Sequence, residues 1–327
     1  MSRVLILHTG GTLAMRGEPL EPDAFANELT VVAPEILKLA DIDSRVVASL
    51  DSSDVGPEHW IELAREVESA RGNYDGVVVV HGTDTMSYTA SALSFALKGL
   101  DIPVVLTGAQ RPLAAVRTDA RRNIVDAVEM ATHDVPEVGV CFDGLLLRGC
   151  RATKSNSLVY RAFESPGCAP LARLGVDVNL APHVRRPNGP FECDPRFDSS
   201  VLLVQVFPGM EPSLLERMLD PDSGVRGVVL VAFGLGTVPT TFRPLSPVIK
   251  AAADAGVEVL VVSISAGAVN MGLYKNSLAL MHSGAVSGGS MGVEAALTKL
   301  MHALAAYPDD RAARRRYLEW DVAGELS

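Results

Sequence analysis

The sequence predicts an α/β protein with two domains: a larger N-terminal domain with a mostly parallel sheet flanked by helices, and a smaller C-terminal domain with a second parallel sheet. Short, wholly apolar runs such as residues 77–80 are typical of parallel strands, because such strands are covered on both faces. These runs alternate with amphipathic segments of helical period, as in sheets whose strands are joined by helices. Hydrophobic residues make up 48% of the chain and aromatic residues only 5%, so the core must consist mainly of aliphatic side chains.

The residue pattern of the first half of the chain predicts alternating strands and helices, followed by a hairpin. The strands are expected at 4–8, 45–50, 77–80 and 103–108, the helices at 57–70, 87–97 and 119–131, and the hairpin at 138–142 and 145–147. Residues 15–23 carry Gly17, Pro19 and Pro22 among charged side chains, which predicts a loop. Long loops beside strand ends are commonly lids.

A stretch without periodicity separates the two halves. Between residues 182 and 198 the chain has four prolines and one glycine, which predicts a linker. We therefore expect an N-terminal α/β domain over 1–185, a linker over 186–200 and a smaller α/β domain over 201–327. The second domain predicts strands at 201–206, 227–232 and 257–264, and helices at 213–219, 246–255 and 291–307. Arginines between 311 and 316, flanked by acidic residues, predict a solvated terminal helix.

Charge and composition argue against several kinds of partner. The formal net charge of −10 disfavours nucleic acid and an anionic membrane surface. The apolar run at residues 4–7 is too short for a signal peptide, and no run of about eighteen apolar residues could span a membrane. Four cysteines show no metal-ligand spacing: Cys141, Cys150, Cys168 and Cys193. We therefore expect a cytoplasmic protein with free thiols that uses no metal or other cofactor.

Three predicted strands in the first half end in glycine and hydroxyl residues. The ends read Thr9-Gly10-Gly11-Thr12, Gly82-Thr83-Asp84 and Thr107-Gly108-Ala109. In open α/β sheets ligands bind outside the carboxyl ends of the strands, where these turns would lie. Thr83 or Asp84 could instead be the N-cap of the following helix.

The residue types at these turns suggest acyl transfer without a metal. A threonine hydroxyl is a poor nucleophile at neutral pH and needs a nearby group to take its proton. Lys154 could take it if the pKa of its amine is lowered or if it shares a proton with a carboxylate such as Asp84. Backbone N–H groups at the glycine turns could then bind the oxyanion of a tetrahedral intermediate.

Other interpretations of the same residues remain open at this point. The turn at residues 9–12 could hold a phosphate, although the chain lacks both a dinucleotide fingerprint and a Walker lysine. Lys154 could equally be a solvated loop lysine. We expect His81, which leaves a buried strand, to be a packed histidine rather than a base.

Six sequence blocks resemble the bacterial-type L-asparaginases, and most closely their cytoplasmic type I branch. The most specific block is His81-Gly82-Thr83-Asp84-Thr85-Met86. The others are Thr9-Gly10-Gly11-Thr12, Asp51-Ser52-Ser53-Asp54, Arg151-Ala152-Thr153-Lys154, Val269-Asn270-Met271-Gly272 and Val293-Glu294-Ala295-Ala296-Leu297-Thr298-Lys299-Leu300. The resemblance covers nearly the whole chain, and six blocks in register are stronger evidence than any single block.

The resemblance implies hydrolysis of L-asparagine to L-aspartate and ammonia. By motif position, Thr12 corresponds to the nucleophile that forms a β-acyl intermediate. Thr83, Asp84 and Lys154 correspond to a second triad, which activates that nucleophile or the hydrolytic water.

The resemblance also implies how the substrate and other copies of the chain are bound. Ser52 and Ser53 would hold the α-carboxylate of asparagine, and Asp84 would pair with its α-ammonium. Such a site discriminates strongly against analogues that lack either charge. Family members assemble as dimers or dimers of dimers, so we expect a homo-oligomer.

Two features depart from the family pattern. Family members commonly place a tyrosine in the loop after the nucleophile, whereas residues 15–26 contain none and Phe25 is the only aromatic residue there. We therefore assign no catalytic role to a loop residue. The strand at 228–232 is wholly apolar where an effector-binding arginine would be expected, so we do not expect allostery.

Three alternatives accompany the asparaginase prediction. The first is a glutaminase-asparaginase that accepts a wider range of amides. The second is a non-catalytic amino-acid sensor with the same pocket, suggested by the missing loop tyrosine. The third is the tRNA-dependent amidotransferase subunit, whose asparaginase-like core follows an extra N-terminal domain. This alternative is the least favoured, because the first strand is predicted at residue 4.

Overall fold

The computed structural model describes residues 1–14, 29, 33–265 and 267–326. The loop predicted at 15–23 lies outside the described residues. So does the whole of segment 15–26, in which family members commonly have a tyrosine. Contacts within the chain divide it into two compact units, residues 1–195 and 196–327. The predicted domain boundaries, with a linker over 186–200, stay a prediction. In the described ranges, no helix is both long and apolar enough to cross a membrane.

The first unit contains a mixed sheet that is mostly parallel. Five of its strands, in the spatial order β2-β1-β3-β5-β6, run parallel, and β7, β10 and β11 extend the sheet with antiparallel pairing. The strands of this unit are β1 (Ser2–Gly10), β2 (Ala40–Leu50), β3 (Gly76–Val80), β4 (Leu97–Lys98), β5 (Val104–Thr107), β6 (Val138–Phe142), β7 (Leu145–Arg148), β8 (Thr153–Lys154), β9 (Phe163–Glu164), β10 (Ala172–Leu174), β11 (Val178–Leu180) and β12 (Glu192–Cys193).

The middle strand of the parallel part of this sheet, β3, has the residue pattern of a strand covered on both faces. Every residue of β3 is buried, and β3 pairs with β1 on one side and β5 on the other. Among its described residues, the unit has the helices α1 (Pro57–Ala70), α2 (Met86–Ala96) and α3 (Ala120–Ala131). Helix α1 buries Trp60, Leu63 and Val67 on one face, which is the spacing of an amphipathic helix.

The second unit repeats the same architecture on a smaller scale. Its sheet has the order β13-β14-β15-β16 and all its described pairings are parallel. The strands are β13 (Val201–Gln205), β14 (Gly227–Ala232), β15 (Glu258–Ser263) and β16 (Val286–Ser287), and the helices are α4 (Pro212–Met218), α5 (Ser246–Asp254), α6 (Lys275–His282), α7 (Val293–Ala306) and α8 (Arg311–Glu319). The predicted fold class, two α/β domains with the larger one first, is confirmed.

Several short elements are not predictable from the sequence. Strands β10, β11 and β16 and helix α6 lack a long periodic pattern, because each is brief. Within the segment predicted as a linker, β12 pairs with β4 of the first unit.

The terminal arginine helix exists as α8, with Arg316 exposed as predicted, but the prediction that the helix is solvated is wrong for the face that carries Arg314. Arg314 is only 5% exposed, and its guanidinium donates to Glu258, a fully buried carboxylate at the start of β15. Arg315 donates to the other oxygen of the same carboxylate. A buried carboxylate requires such partners, so tertiary pairing brings one face of α8 into the unit.

Candidate active site

The turns after β1, β2 and β3 meet in direct contact. Gly11 donates its N–H to Leu50 O at 3.0 Å, and a Cβ at Gly11 would lie 2.3 Å from the backbone nitrogen of Gly82. A Cβ at Gly82 would in turn lie 2.6 Å from the Cβ of Ser52. Only glycines allow such an approach, and the positive φ of Gly11, +83°, also favours glycine. The three turns that carry the predicted site residues therefore lie side by side.

Lys154 joins this group from a more distant part of the chain. It lies on β8, which pairs with β9. Its Nζ donates to Thr83 Oγ1 at 2.8 Å and to Asp84 Oδ1 at 2.5 Å. The lysine side chain is only 13% exposed, whereas that of Asp84 is 67% exposed. The structure thus places an ammonium group between a buried hydroxyl and a carboxylate that is open to solvent.

The two serines predicted to bind the substrate lie on the turn after β2. Ser52 is buried and Ser53 is exposed. Ser53 N–H donates to Asp51 Oδ1 at 2.8 Å, and this bond lowers the pKa of the Asp51 carboxyl below its ordinary value. Thr85 Oγ1 donates to Ser52 O at 2.6 Å. This bond links the serine turn to the turn after β3, which carries Thr83 and Asp84.

Thr12, the predicted nucleophile, begins a short 3-10 helix, Thr12–Ala14, directly after Gly11. It is half-buried, and the next residue, Leu13, is part of the core of the first unit. Gly11 and Gly82 are in contact. Thr12 and Thr83 are the residues that directly follow these two glycines in the sequence. The structure therefore puts Thr12 on the turn next to the one that carries Thr83 and Asp84, the two residues bonded to Lys154.

His81 is a packed histidine, as predicted. It is fully buried, and burial lowers the pKa of its imidazole to about 4. Its Nδ1 lies 2.7 Å from Gly82 O and its Nε2 lies 2.9 Å from Thr89 Oγ1. A carbonyl only accepts, so Nδ1 carries the proton and Nε2 accepts from Thr89. Thr89 in turn accepts from the indole N–H of Trp60 at 3.1 Å.

Gln110 belongs to the site but is not among the residues predicted from the sequence. Thr83 Oγ1 donates to Gln110 Oε1 at 3.3 Å. The signal that could have found it is its position, because Gln110 directly follows the strand end Thr107-Gly108-Ala109. Gly108 fits against the turn after β3, because a Cβ there would lie 2.2 Å from His81 O.

The chemistry of the donor set fits acyl transfer. The described residues contain no group of three or more histidine, cysteine, aspartate or glutamate side chains that could hold a metal ion. The site instead combines hydroxyls, an ammonium, a carboxylate and backbone groups at buried glycine turns. These are the parts of a nucleophile, a proton relay and an oxyanion site.

Comparison with known proteins matches both units of the chain. A family model described as Asparaginase, N-terminal, matches residues 3–186. A second model, described as Glutaminase/Asparaginase C-terminal domain, matches residues 200–318.

Individual relatives match over almost the full chain. L-asparaginase of Thermococcus kodakarensis is 34% identical, with 99% of each chain covered, and a solved structure of the thermostable L-asparaginase from that organism has a TM-score of 0.92, 33% identity and 99% coverage of both chains. L-asparaginase 1 of Escherichia coli K12 is 33% identical, covering 99% of this chain and 98% of the relative. A glutamyl-tRNA(Gln) amidotransferase subunit of Pyrococcus furiosus is 36% identical, covering 99% of this chain and 76% of the relative.

With both units matched, the class of the protein follows: it is an amidohydrolase with a two-unit α/β fold. Within that class, the chain belongs to the asparaginase family. The resemblance inferred from the six sequence blocks is thereby confirmed.

Proposed function

We propose that the protein hydrolyses the side-chain amide of L-asparagine to give L-aspartate and ammonia. The observation that supports this most strongly is the position of Lys154 Nζ, 2.8 Å from Thr83 Oγ1 and 2.5 Å from Asp84 Oδ1. A lysine held between a hydroxyl and a carboxylate beside a second threonine provides a route for the proton that a threonine nucleophile must lose.

The reaction proceeds in two halves through an ester. Lys154 first gives a proton to Asp84. As Thr12 Oγ1 attacks the amide carbon, its proton passes to Thr83 Oγ1, which passes its own proton to the neutral Lys154 amine. The C–N bond then breaks, the leaving nitrogen takes up a proton and ammonia departs. In the second half, water attacks the ester carbon, the bond to Thr12 Oγ1 breaks, and aspartate leaves while Thr12 recovers its proton. Backbone N–H groups at the glycine turns, other than that of Gly11, which donates to the backbone carbonyl of the last residue of β2, stabilise the oxyanion of each tetrahedral intermediate.

The substrate is held by its two α-charges. The turn of Ser52 and Ser53 offers hydroxyl and N–H donors for the α-carboxylate, and Asp84 offers a carboxylate for the α-ammonium. Asp84 is 67% exposed on its side chain, so the substrate reaches it without displacing packed residues. A site built for both charges rejects simple amides that lack them.

Replacing the nucleophile and the lysine tests this function. In Thr12→Ala and in Lys154→Met, ammonia release from L-asparagine should fall by at least about 1,000-fold, because each change removes a group that acts on the reacting atoms. Lys250→Met is the control, since Lys250 is an exposed lysine of the second unit that pairs with Asp254. Wild-type turnover in either site variant would overturn the mechanism.

A broader amide specificity is the second candidate function. The C-terminal family model is described as Glutaminase/Asparaginase, and a relative at 36% identity is named an amidotransferase subunit. Comparing kcat/KM for L-asparagine and L-glutamine in the same assay separates the two candidates. A sensor without turnover would instead bind L-aspartate in calorimetry and release no ammonia. The homo-oligomer and the cytoplasmic location stay predictions.

A further inference from the structure

We propose that Gln110 is a positioning residue of this site, which fixes the orientation of the Thr83 hydroxyl and ties it to the loop that follows Lys154. The inference rests on the proposed function for its kinetic consequences. It starts from the contact between Thr83 Oγ1 and Gln110 Oε1, 3.3 Å apart.

The contacts of the Gln110 amide determine which way round it lies. Its Nε2 is 3.3 Å from Asn156 O and 3.3 Å from Val159 O. Both of these atoms are carbonyl oxygens, which only accept hydrogen bonds. The NH₂ group must therefore face the loop, and the amide oxygen must face Thr83.

This orientation in turn assigns the hydrogen of Thr83. Because the Gln110 oxygen only accepts, the Thr83 hydroxyl donates its single hydrogen to it. Lys154 Nζ donates to Thr83 Oγ1 from another direction at 2.8 Å. With Lys154 protonated, the hydroxyl hydrogen is thus held away from the ammonium, and the oxygen has one more lone pair for a group of the substrate or nucleophile.

The backbone of Gln110 is itself firmly fixed. Gln110 N donates to Asp119 Oδ2 at 2.9 Å, and Arg111 N donates to Asp119 Oδ1 at 3.1 Å. Asp119 precedes helix α3 and also accepts from Asn123 Nδ2 at 3.1 Å. A carboxylate that receives three such bonds holds the backbone of Gln110 rigidly in place. The side-chain amide of Gln110 is thereby anchored beside Thr83.

The loop on the other side of Gln110 has little apolar packing of its own. Leu158 is 96% exposed and Val159 is 47% exposed. The loop is closed by backbone bonds from Ser155 N and Asn156 N to Ala162 O at 2.9 and 3.3 Å. Two contacts elsewhere also hold this segment, the bond from Tyr160 Oη to Arg117 O at 2.6 Å and the pairing of Arg161 with Asp143. The two bonds from Gln110 are the ties that join this segment directly to the residue beside Thr83.

Gln110→Met tests the inference, because methionine has a similar length, is only a weak acceptor for the Thr83 hydrogen and cannot donate to the loop. We expect kcat for L-asparagine to fall about 10- to 100-fold, since small displacements of catalytic groups have effects of this size. The KM should change less than about threefold, because Ser52, Ser53 and Asp84 are left in place. The melting temperature should remain close to that of the wild type.

Two further variants accompany this test. Arg111→Met changes the neighbouring exposed side chain and should leave kcat unchanged. Gln110→Glu keeps an acceptor for Thr83 but places a negative charge near Lys154 and removes both donors to the loop. It should shift the pH profile of kcat upward, because a nearby carboxylate favours the charged form of a lysine. The new charge acts on Lys154 whatever the role of Gln110, so the result that separates positioning from a structural role is the fall of kcat without a matching change of KM in Gln110→Met.

Hydrogen exchange provides a readout that does not depend on turnover. In Gln110→Met the amides of Ser155 and Asn156 should exchange at least about tenfold faster, as expected for a loop that opens more easily. Unchanged exchange together with unchanged kcat would overturn the inference. If the wild type releases no ammonia from L-asparagine, the proposed function fails, while the exchange rates still decide whether Gln110 ties the loop.

Discussion

At the scale of single residues, two glycines allow the site to form. Gly11 and Gly82 bring the backbones of two turns to a distance that no Cβ tolerates. Thr12 and Thr83 follow these glycines directly, so the separation of the two hydroxyl-bearing turns is set by the missing side chains. A side chain at Gly11 would move the turn that carries Thr12 away from Thr83 and Lys154.

A pair of alanine substitutions isolates this effect from backbone strain. Gly11 has φ +83° and Gly72 has φ +79°, but nothing lies within 4 Å of a Cβ built at Gly72. Gly72→Ala should therefore cost only the strain of a left-handed alanine, about 1 kcal/mol of unfolding free energy. Gly11→Ala should cost about 2 kcal/mol more because of the steric clash, and asparagine turnover should fall about 100-fold.

Urea denaturation and ammonia release measure the two effects. Equal losses of stability in Gly11→Ala and Gly72→Ala would show that the close approach of the turns has no energetic consequence. Full activity in Gly11→Ala would show that the position of Thr12 does not depend on it.

At the scale of elements, two adjacent parallel strands of the first unit, β1 and β3, each have a buried histidine near or directly after the carboxyl end. His8 on β1 is 4% exposed, and His81 directly follows β3. Burial lowers the pKa of both imidazoles to about 4 from the ordinary 6.5. Both side chains are therefore neutral in the folded protein at neutral pH, since a charged imidazole would be costly to bury there.

This burial predicts a loss of stability in mild acid. Between pH 6.5 and pH 4 the unfolded chain binds protons at these histidines that the folded chain does not bind, so the unfolding free energy falls as the pH is lowered. Each histidine contributes up to about 3 kcal/mol of this decline. His8→Leu should therefore show a shallower decline of unfolding free energy between these two pH values.

Thr9→Val is the matched control for this prediction. Thr9 is the next residue of β1, is buried, and donates to Val80 O at 3.1 Å. Losing this bond should lower the unfolding free energy by about 1 kcal/mol at the two ends of this pH range alike, because threonine does not titrate. The same pH dependence in His8→Leu as in Thr9→Val would contradict the assignment.

At the scale of the whole molecule, the end of the chain is secured within the second unit by a buried ion pair. Lys299 on α7 and Glu325 lie 2.5 Å apart, and both side chains are fully buried. Lys299 Nζ also donates to Leu318 O and Trp320 O. Helix α7 is thereby bonded to the segment that follows α8, further along the chain.

Removing the lysine should destabilise this unit strongly. Lys299→Met takes away the ammonium that faces the buried Glu325 carboxylate, and such changes cost about 3–5 kcal/mol. Lys250→Met breaks an exposed lysine pair with Asp254 and should cost about 0.5 kcal/mol or less. The double variant Lys299→Met with Glu325→Gln should recover part of the loss.

Amide hydrogen exchange can follow this unit separately. Measured at increasing urea concentrations in each variant, the exchange of buried amides in residues 196–327 reports on unfolding of the second unit. Equal midpoints for Lys299→Met and Lys250→Met would show that the buried pair contributes no more than an exposed one.

Local sequence patterns are enough to predict the long elements. The helix predicted at 57–70 is observed as α1 with the same bounds, and the strand predicted at 227–232 is observed as β14. The helix is predictable from apolar residues at helical spacing, and the strand from a continuous apolar run. Helix α6 and strand β16 are missed because they are short and their burial depends on distant residues.

The sequence by itself determined the fold class, the family and the residue types of the site, because apolar periodicity and the glycine and hydroxyl blocks are local properties of the chain. Only the tertiary structure decided that Gln110 bonds to Thr83 and to the loop after Lys154, and that Arg314 lies inside the second unit. Both depend on partners dozens of residues away, Asn156 and Val159 for Gln110 and Glu258 for Arg314. Chain folding, and no local pattern, sets the distance between such partners.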